Sequence, residues 1–502
     1  MGRVMGSLCS ALAVFSVDDM KLLMVLALLG LPVSAPVEDG RIEWHQCRLN
    51  AADDEGAALD KAGAECGELQ EPLDYRRPDG PKITLALSRL RASGDRIGAM
   101  VLNDGGPGGP GLSMPLRLRP AMKAAGTRYD LIGLDPRFVG RSTPIDCKLP
   151  YAAWPWAGGA DRASFDRASA QVADVARRCG ANAGQYLRYV NTRNTARDID
   201  QVRVALGERK ISYLGYSYGT YLGSVYLQLF PGRTDRVVLD GPIDPVPYGP
   251  RLLRTVGPAN EAALRAWAGW AAARDATYHL GVTTTQVLAS VDRVLRVAGR
   301  SGLQVGRYRL DDGVVPLLLF GPLADDRDAA RATYAGFVRT LFDATYGPVE
   351  PGEELGGFLD SVLTPASSQL ASAQIAILCG DRAVPRDPQV YWRDIQAHRR
   401  TEPHFASLTR MISPCASWPV RPQEPPTRIG NPERALIVAA DGDPRAIYPY
   451  AVALRKDLPS ARMITVRNAR KHGIFGEYGN DCADTKVIAY LLSGQLPADQ
   501  TC

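Results

Sequence analysis

The chain has 502 residues, 45% of them hydrophobic and 23% charged, with 59 Lys and Arg against 54 Asp and Glu for a formal net charge of +5. That composition suits a globular chain with material for a large core and argues against a disordered one. The positive charge is scattered with no long Lys/Arg run, so nothing in it marks a nucleic-acid partner.

Residues 1–40 read as an export segment: Lys21 precedes the apolar run 22–31, and Val33-Ser34-Ala35 offers small residues for cleavage. Asp18 and Asp19 stand directly before the run, which makes Met20 an alternative start. The run is shorter than the roughly 20 apolar residues of a spanning helix, so the expectation is a secreted or cell-wall-associated product without stable membrane insertion after the segment is removed. Of nine cysteines, Cys9 precedes the apolar run; the rest stand at 47, 66, 147, 179, 379, 415, 482 and 502. An even set in an exported chain points to disulfides, and joining sequence neighbours gives 47–66, 147–179, 379–415 and 482–502. None of these spacings is that of a metal site, and no cofactor is expected.

At this length a single compact core is unusual, so one large domain carrying a second is expected. Across residues 41–250, short apolar runs at 83–87, 100–102, 131–134, 211–214 and 237–239 predict strands. Helical patterns lie between some of them, such as 195–206, where Thr195 and Asp198 stand in capping-box spacing and Ile199, Val202 and Leu206 share a face. Strand alternating with helix predicts an α/β fold, a mostly parallel sheet with helices on both faces. From 251 to 426 the strand rhythm stops and helical patterns at 261–273, 285–297 and 328–343 predict an inserted helical cap, with the Pro-rich stretch 419–426 returning to the core. Strand runs resume over 427–502, at 435–439 and 463–466, before a terminal helix near 486–492. A sheet interrupted and then completed places the insertion over the carboxyl edge, where such sheets keep their ligand sites.

The chemistry starts at Gly215-Tyr216-Ser217-Tyr218-Gly219, a G-x-S-x-G lying between the strand run 211–214 and the helical stretch 220–230. A serine on that strand-to-helix turn is held above the sheet as a nucleophile, its flanking glycines admitting close backbone, which is the elbow of the α/β-hydrolase fold. The Tyr218 N–H, at the helix start, is available to a developing oxyanion. Residues 103–111 (NDGGPGGPG) follow the strand run 100–102, and Gly105 or Gly106 is expected to supply the second donor. No Gly-Lys-Ser/Thr follows, which argues against a phosphate cradle. Of the five histidines, His45 precedes the core and His279, His398 and His404 fall in the insertion, leaving His472 as the base. The order Ser, acid, His then asks for an acid at the end of the run 435–439: Asp443, with Asp441 as a close competitor and Asp240 as a more distant one.

These residues, together with CGELQEPLDYRRPD (66–79), DPRFVGRS (135–142), KISYLGYSYGTYLG (210–223), VLDGPIDP (238–245), PCASWP (414–419), His472-Gly473 and Cys502, resemble the secreted actinobacterial tripeptidyl aminopeptidases, α/β-hydrolase serine peptidases related to prolyl aminopeptidase. The resemblance runs through nearly all of the mature chain and implies a serine exopeptidase acting on free peptide N-termini. Asp104 stands where that family usually has Pro, Phe138 where it has Gly, DPRAIYPY (443–450) where it has DPATPY, and 270–280 lacks a cysteine pair often found there. An exopeptidase needs an acid for the substrate amine, and Asp381, Glu353 and Glu354 are the candidates in the insertion. Two competing readings stay open: an esterase or tailoring hydrolase on a small non-peptide acyl substrate, and a catalytically dead binding scaffold.

Overall fold

In the computed structural model, residues 40–152 and 155–502 are described; the export-segment reading and Cys9 lie outside them. In chain order the strands are β1 (Glu43–His45), β2 (Glu65–Pro72), β3 (Lys82–Leu90), β4 (Gly98–Asn103), β5 (Tyr129–Leu134), β6 (Ile211–Tyr216), β7 (Thr234–Asp240), β8 (Leu303–Val305), β9 (Tyr308–Leu310), β10 (Leu436–Ala440), β11 (Arg462–Val466) and β12 (Gln500–Thr501). Ten of them form one sheet in the order β1-β2-β3-β5-β4-β6-β7-β10-β11-β12. The β1–β2, β2–β3 and β3–β5 pairs are antiparallel, and every pair beyond β5 is parallel. This is the α/β-hydrolase arrangement, with the sheet's two halves joined where β10 pairs with β7.

The central strands are apolar throughout because both faces are covered. Val101, Ile132, Tyr213, Val237 and Ile437 pack on one side with the helices Thr192–Ala205 and Tyr218–Leu229. Met100, Leu131, Leu214, Val238 and Leu436 pack on the other with Met114–Ala121 and Asp481–Ser493. β1 and β2 carry no such run: in β2 the exposed Glu68 and Gln70 alternate with buried Gly67, Leu69 and Glu71, as suits an edge with one wet face.

The capping box expected at Thr195 is replaced by an earlier start. The helix begins at Thr192, with the Asn191 side chain accepting from Asn194 N at 2.9 Å. Asp198 is instead a mid-helix residue whose carboxylate receives the buried Arg137 guanidinium, Nε to Oδ2 at 2.6 Å. That pair ties the DPRFVGRS segment to the helix Thr192–Ala205. Asp135, beside it, accepts from Gly111 N at 2.7 Å and Arg141 N at 2.8 Å, holding the far end of the Gly-rich loop.

Between β7 and β10 the chain forms helices including Leu253–Ala272, Thr284–Ser301, Val315–Phe320, Asp328–Asp343, Glu353–Leu363 and Ser368–Asp381. The stretch is not wholly helical: β8 and β9 make a small antiparallel hairpin, whose three-residue strands are too short to show alternation in the sequence. A 22-residue helix, Arg162–Ala183, lies earlier in the chain, between β5 and β6; its Phe165, Ala168 and Val172 pack with Tyr391, Ile395 and Met411 from the later segment. Over 270–280, where the cysteine pair is missing, Trp270 Nε1 donates to Asp328 Oδ1 at 2.8 Å and the Arg274 guanidinium lies 4.2 Å above the Trp270 ring. The four disulfides are Cys47–Cys66, Cys147–Cys179, Cys379–Cys415 and Cys482–Cys502, the set expected from sequence neighbours. No single described helix is long and apolar enough to cross a membrane.

Candidate active site

Ser217 stands at the end of β6, one residue before the helix Tyr218–Leu229, with φ +53° and ψ −120°. A side chain rarely adopts that conformation, which costs about 1–3 kcal/mol and persists only where the surroundings enforce it. Here the Ser217 N–H donates to Asp240 O at 2.9 Å. A Cβ on Gly215 would stand 2.6 Å from Gly219 O, and one on Gly219 would stand 2.8 Å from Asn103 O, so both flanking positions exclude a side chain. The Tyr218 N–H, at the head of the helix, has no intrahelical acceptor.

The Gly-rich loop presses against this turn. A Cβ on Gly105 (φ +93°) would come within 2.5 Å of Tyr216 O, 3.1 Å of Ser217 Cβ and 3.2 Å of Tyr218 N. Of the two glycines expected to offer a second donor, Gly105 has its N–H engaged by Asn103 Oδ1 at 3.1 Å. The Gly106 N–H has no acceptor among the described residues. Asp104 is half-exposed and pairs with Arg117, which also bonds Glu477 Oε1 at 2.7 Å and lies 5.7 Å from the centre of the Tyr216 ring.

His472 is brought to the same edge. Its Nδ1 lies 2.8 Å from Asp443 Oδ2, with the Asp443 side chain 1% exposed and the histidine 21%. The other Asp443 oxygen accepts from Arg445 N at 2.7 Å and Ala446 N at 3.0 Å. The imidazole packs on Gly241, directly after β7, where a Cβ would sit 3.2 Å from its Cε1. Of the competing acids, Asp441 is exposed on the preceding turn. Asp240 is fully buried, accepts from Ile474 N and Phe475 N, and therefore anchors the loop that follows His472. Burial pushes the Asp240 carboxyl up to about 7, against the pull of those N–H bonds. Tyr216 adds a further tie, its hydroxyl donating to Phe475 O at 2.6 Å. The strand end bearing Ser217 and the loop bearing His472 are thus fastened to one another through Asp240 and Tyr216.

Residues 404–502 match the TAP-like protein family model. The chain is 35% identical over 487 residues to a tripeptidyl aminopeptidase of Streptomyces lividans, covering 92% of this chain and 86% of that protein. The chain belongs to the tripeptidyl aminopeptidase family. It is also 29% identical over 509 residues to the serine protease Hip1 of Mycobacterium tuberculosis, covering 91% of this chain and 89% of that one. To a carboxylesterase B of the same organism it is 29% identical over 524 residues, covering 93% and 90%. As a tripeptidyl aminopeptidase family member the protein is a serine hydrolase of the peptidase kind, and its departures from the usual family pattern have structural consequences. Phe138, where family members usually carry Gly, keeps the glycine's conformation at φ +69° and buries its ring against Tyr186 at 5.5 Å. The lengthened DPRAIYPY stretch supplies Arg445, whose partners lie in the 251–426 segment.

The three acids expected to meet a substrate amine are dispersed. Asp381 is buried and spends both oxygens on protein donors: Thr192 N at 2.7 Å, the Thr192 hydroxyl, and the Tyr248 hydroxyl at 3.0 Å. Burial pushes its carboxyl up to about 6 despite those bonds. Thr192 also bonds the Tyr218 hydroxyl at 2.8 Å, so Asp381 braces the residue next to Ser217 from behind. Glu353 and Glu354 are exposed on the first turn of Glu353–Leu363. Asn103 and Arg445 lie inside the motifs 103–111 and 443–450 with no role legible from the sequence, and Asp240, a candidate acid there, is an anchor in the structure.

Proposed function

We propose that the protein is a secreted serine exopeptidase that releases short peptides from free N-termini through an acyl-enzyme on Ser217. In this reading His472 takes the Ser217 proton as the hydroxyl oxygen attacks the scissile carbonyl carbon. Asp443 fixes the imidazole tautomer and stabilises the imidazolium. The Tyr218 and Gly106 N–H groups receive the oxyanion of the tetrahedral intermediate, in a site where preorganised donors need no reorientation. His472 then passes the proton to the leaving amine, and water, activated by the same imidazole, hydrolyses the ester to free the acid and regenerate Ser217.

The observation that carries this reading is the 2.8 Å bond between His472 Nδ1 and Asp443, on a loop tied by Asp240 to the strained turn of Ser217. The exopeptidase preference rests on the Streptomyces relative, named a tripeptidyl aminopeptidase. Export is supported by four disulfides, which persist in oxidising compartments.

A second reading, an esterase on a small acyl substrate, is favoured by the relative named carboxylesterase B. Three substrates separate them: a free tripeptide anilide, its N-acetylated form and a nitrophenyl ester. Exopeptidase action requires cleavage of the first and failure on the second, with all turnover lost in Ser217→Ala. Turnover of the ester alone refutes it in favour of the esterase.

A further inference from the structure

The loops bearing His472 and Asp443 are both fastened to one short piece of the segment between β7 and β10. On the base side, His472 N donates to Ala324 O at 2.9 Å, Arg470 N to Asp326 Oδ2 at 2.9 Å, and Lys471 Nζ lies 3.7 Å from Asp325. On the acid side, the Arg445 guanidinium donates to Phe320 O and to Gly321 O, the latter at 3.1 Å, and lies 3.5 Å from the centre of the Phe320 ring. Its remaining arm bonds Asn260 Oδ1, and Asn260 Nδ2 returns to Pro444 O at 2.8 Å. Arg445 N is itself one of the two donors to Asp443 Oδ1.

We infer that residues 320–326 and Arg445 form a clamp that positions the His472–Asp443 couple, so that seating of the inserted segment and assembly of the catalytic base are one event. This rests on the role proposed above for His472. Holding reacting groups in register is worth large factors in rate, and a displacement of about 1 Å can cost roughly 10²-fold. Arg445 is a positioning residue in this scheme: it touches the loop of the acid and the inserted segment.

Its charge has a separate consequence. No ion pair joins the Arg445 guanidinium to the Asp443 carboxylate, yet the two interact through space, and burial pushes the guanidinium down to about 9 while Asp443 opposes that. Among the described residues, charged groups near the couple include Asp240 from β7, Asp441 on the acid's own turn, Asp325 and Asp326 from the inserted segment, and Arg470 and Lys471 on the base loop itself. A positive charge beside Asp443 offsets part of the carboxylate's hold on an imidazolium. Removing it strengthens that hold.

The test is ester hydrolysis by the whole mature chain, with kcat and KM followed against pH for wild type, Arg445→Met, Arg445→Lys and Asn260→Ala, Ser217→Ala as the blank, and a thermal melt of each. Arg445→Met is expected to lose about 10²-fold in kcat with KM moving less than about threefold, and the acid limb of kcat/KM is expected to move upward. Arg445→Lys keeps the charge without the fork, so it should leave the acid limb in place while recovering only part of kcat. Asn260→Ala, which loosens the guanidinium without removing it, should lower kcat with the limb unmoved, and these two variants carry the test if Arg445→Met does not fold. Wild-type kcat in all three variants, losses that simply follow the melting temperature, or a folded Arg445→Met whose acid limb stays in place would overturn the clamp. Turnover that survives in Ser217→Ala refutes the underlying assignment instead, and is told apart by the blank.

Discussion

Replacing Asp443 by Asn changes one oxygen for an amide nitrogen, and the surroundings decide which. The Oδ1 position receives two backbone donors, from Arg445 at 2.7 Å and Ala446 at 3.0 Å, so only an acceptor fits there. The amide oxygen takes that place and the NH₂ is turned toward His472 Nδ1, at the 2.8 Å position now held by Oδ2. A donor facing Nδ1 makes that nitrogen the acceptor and puts the ring proton on Nε2, the nitrogen that takes the Ser217 proton in the proposed mechanism. The variant therefore folds with its geometry intact and its tautomer wrong, a fault worth about 10⁴-fold in kcat, or about 5 kcal/mol of barrier. Pre-steady-state acylation by a nitrophenyl ester measures it, with calorimetry to establish that the melting temperature is kept within a few degrees. The reasoning fails if Asp443→Asn acylates within tenfold of wild type while Asp240→Asn or Asp441→Asn is the crippled variant.

Gly105→Ala should cost at least about 10²-fold in kcat, because its methyl would meet Tyr216 O at 2.5 Å and push the loop off the Ser217 turn; labelling by a fluorophosphonate would slow with it. Removing Cys379–Cys415 by a double Cys→Ala change opens a loop of 36 residues and should lower stability by about 4 kcal/mol in urea denaturation. Phe138→Gly gains about 1–3 kcal/mol from relief at φ +69° and loses about 3–5 kcal/mol of buried ring, so denaturation should give a net destabilisation of about 2 kcal/mol. For His404, burial pulls the pKa down but Glu261 at 2.6 Å and Asp292 outweigh it, leaving it raised above its ordinary 6.5. A raised histidine stabilises fully below its unfolded value, and the contribution is lost as pH rises through the folded one. The melting-temperature gap between wild type and His404→Gln should accordingly be widest on the acid side of 6.5 and shrink as pH rises above it.

What could be read in the sequence was what local chemistry dictates. Ser217 announces itself because a strained turn between a strand and a helix needs glycine on both sides, and the apolar runs of β4 to β7 are legible because both faces of those strands are buried. The place after β10 and the distance from His472 favoured Asp443 without removing Asp441 or Asp240, and only the 2.8 Å contact with His472 Nδ1 sets it apart. β1 and β2 were illegible because their exposed face dilutes the apolar signal, and β12 because two residues carry no period. The helix start at Asn191 was displaced in the reading by Asp198, a residue with the right spacing for a cap but a buried arginine for a partner. The choice between Gly105 and Gly106 was equally out of reach, since it depends on Asn103 Oδ1 accepting from the N–H of Gly105, two residues on.

The carboxylates at the site divide the work by what they accept. Asp443 receives one imidazole nitrogen and two backbone donors, and its side chain is sealed from water, so its acceptor capacity is spent on the ring and on its own turn. Asp240 receives only backbone N–H groups, and burial pushes it to about 7, so near neutrality its charge is poorly supported and its value lies in fixing the loop rather than in stabilising an imidazolium. Sequence spacing alone left the two as competitors for one role. The difference follows from the partner: a carboxylate facing an ionisable ring stabilises charge developed in the reaction, whereas one facing amides stabilises a backbone conformation, and an amide substitution should cripple the first far more than the second.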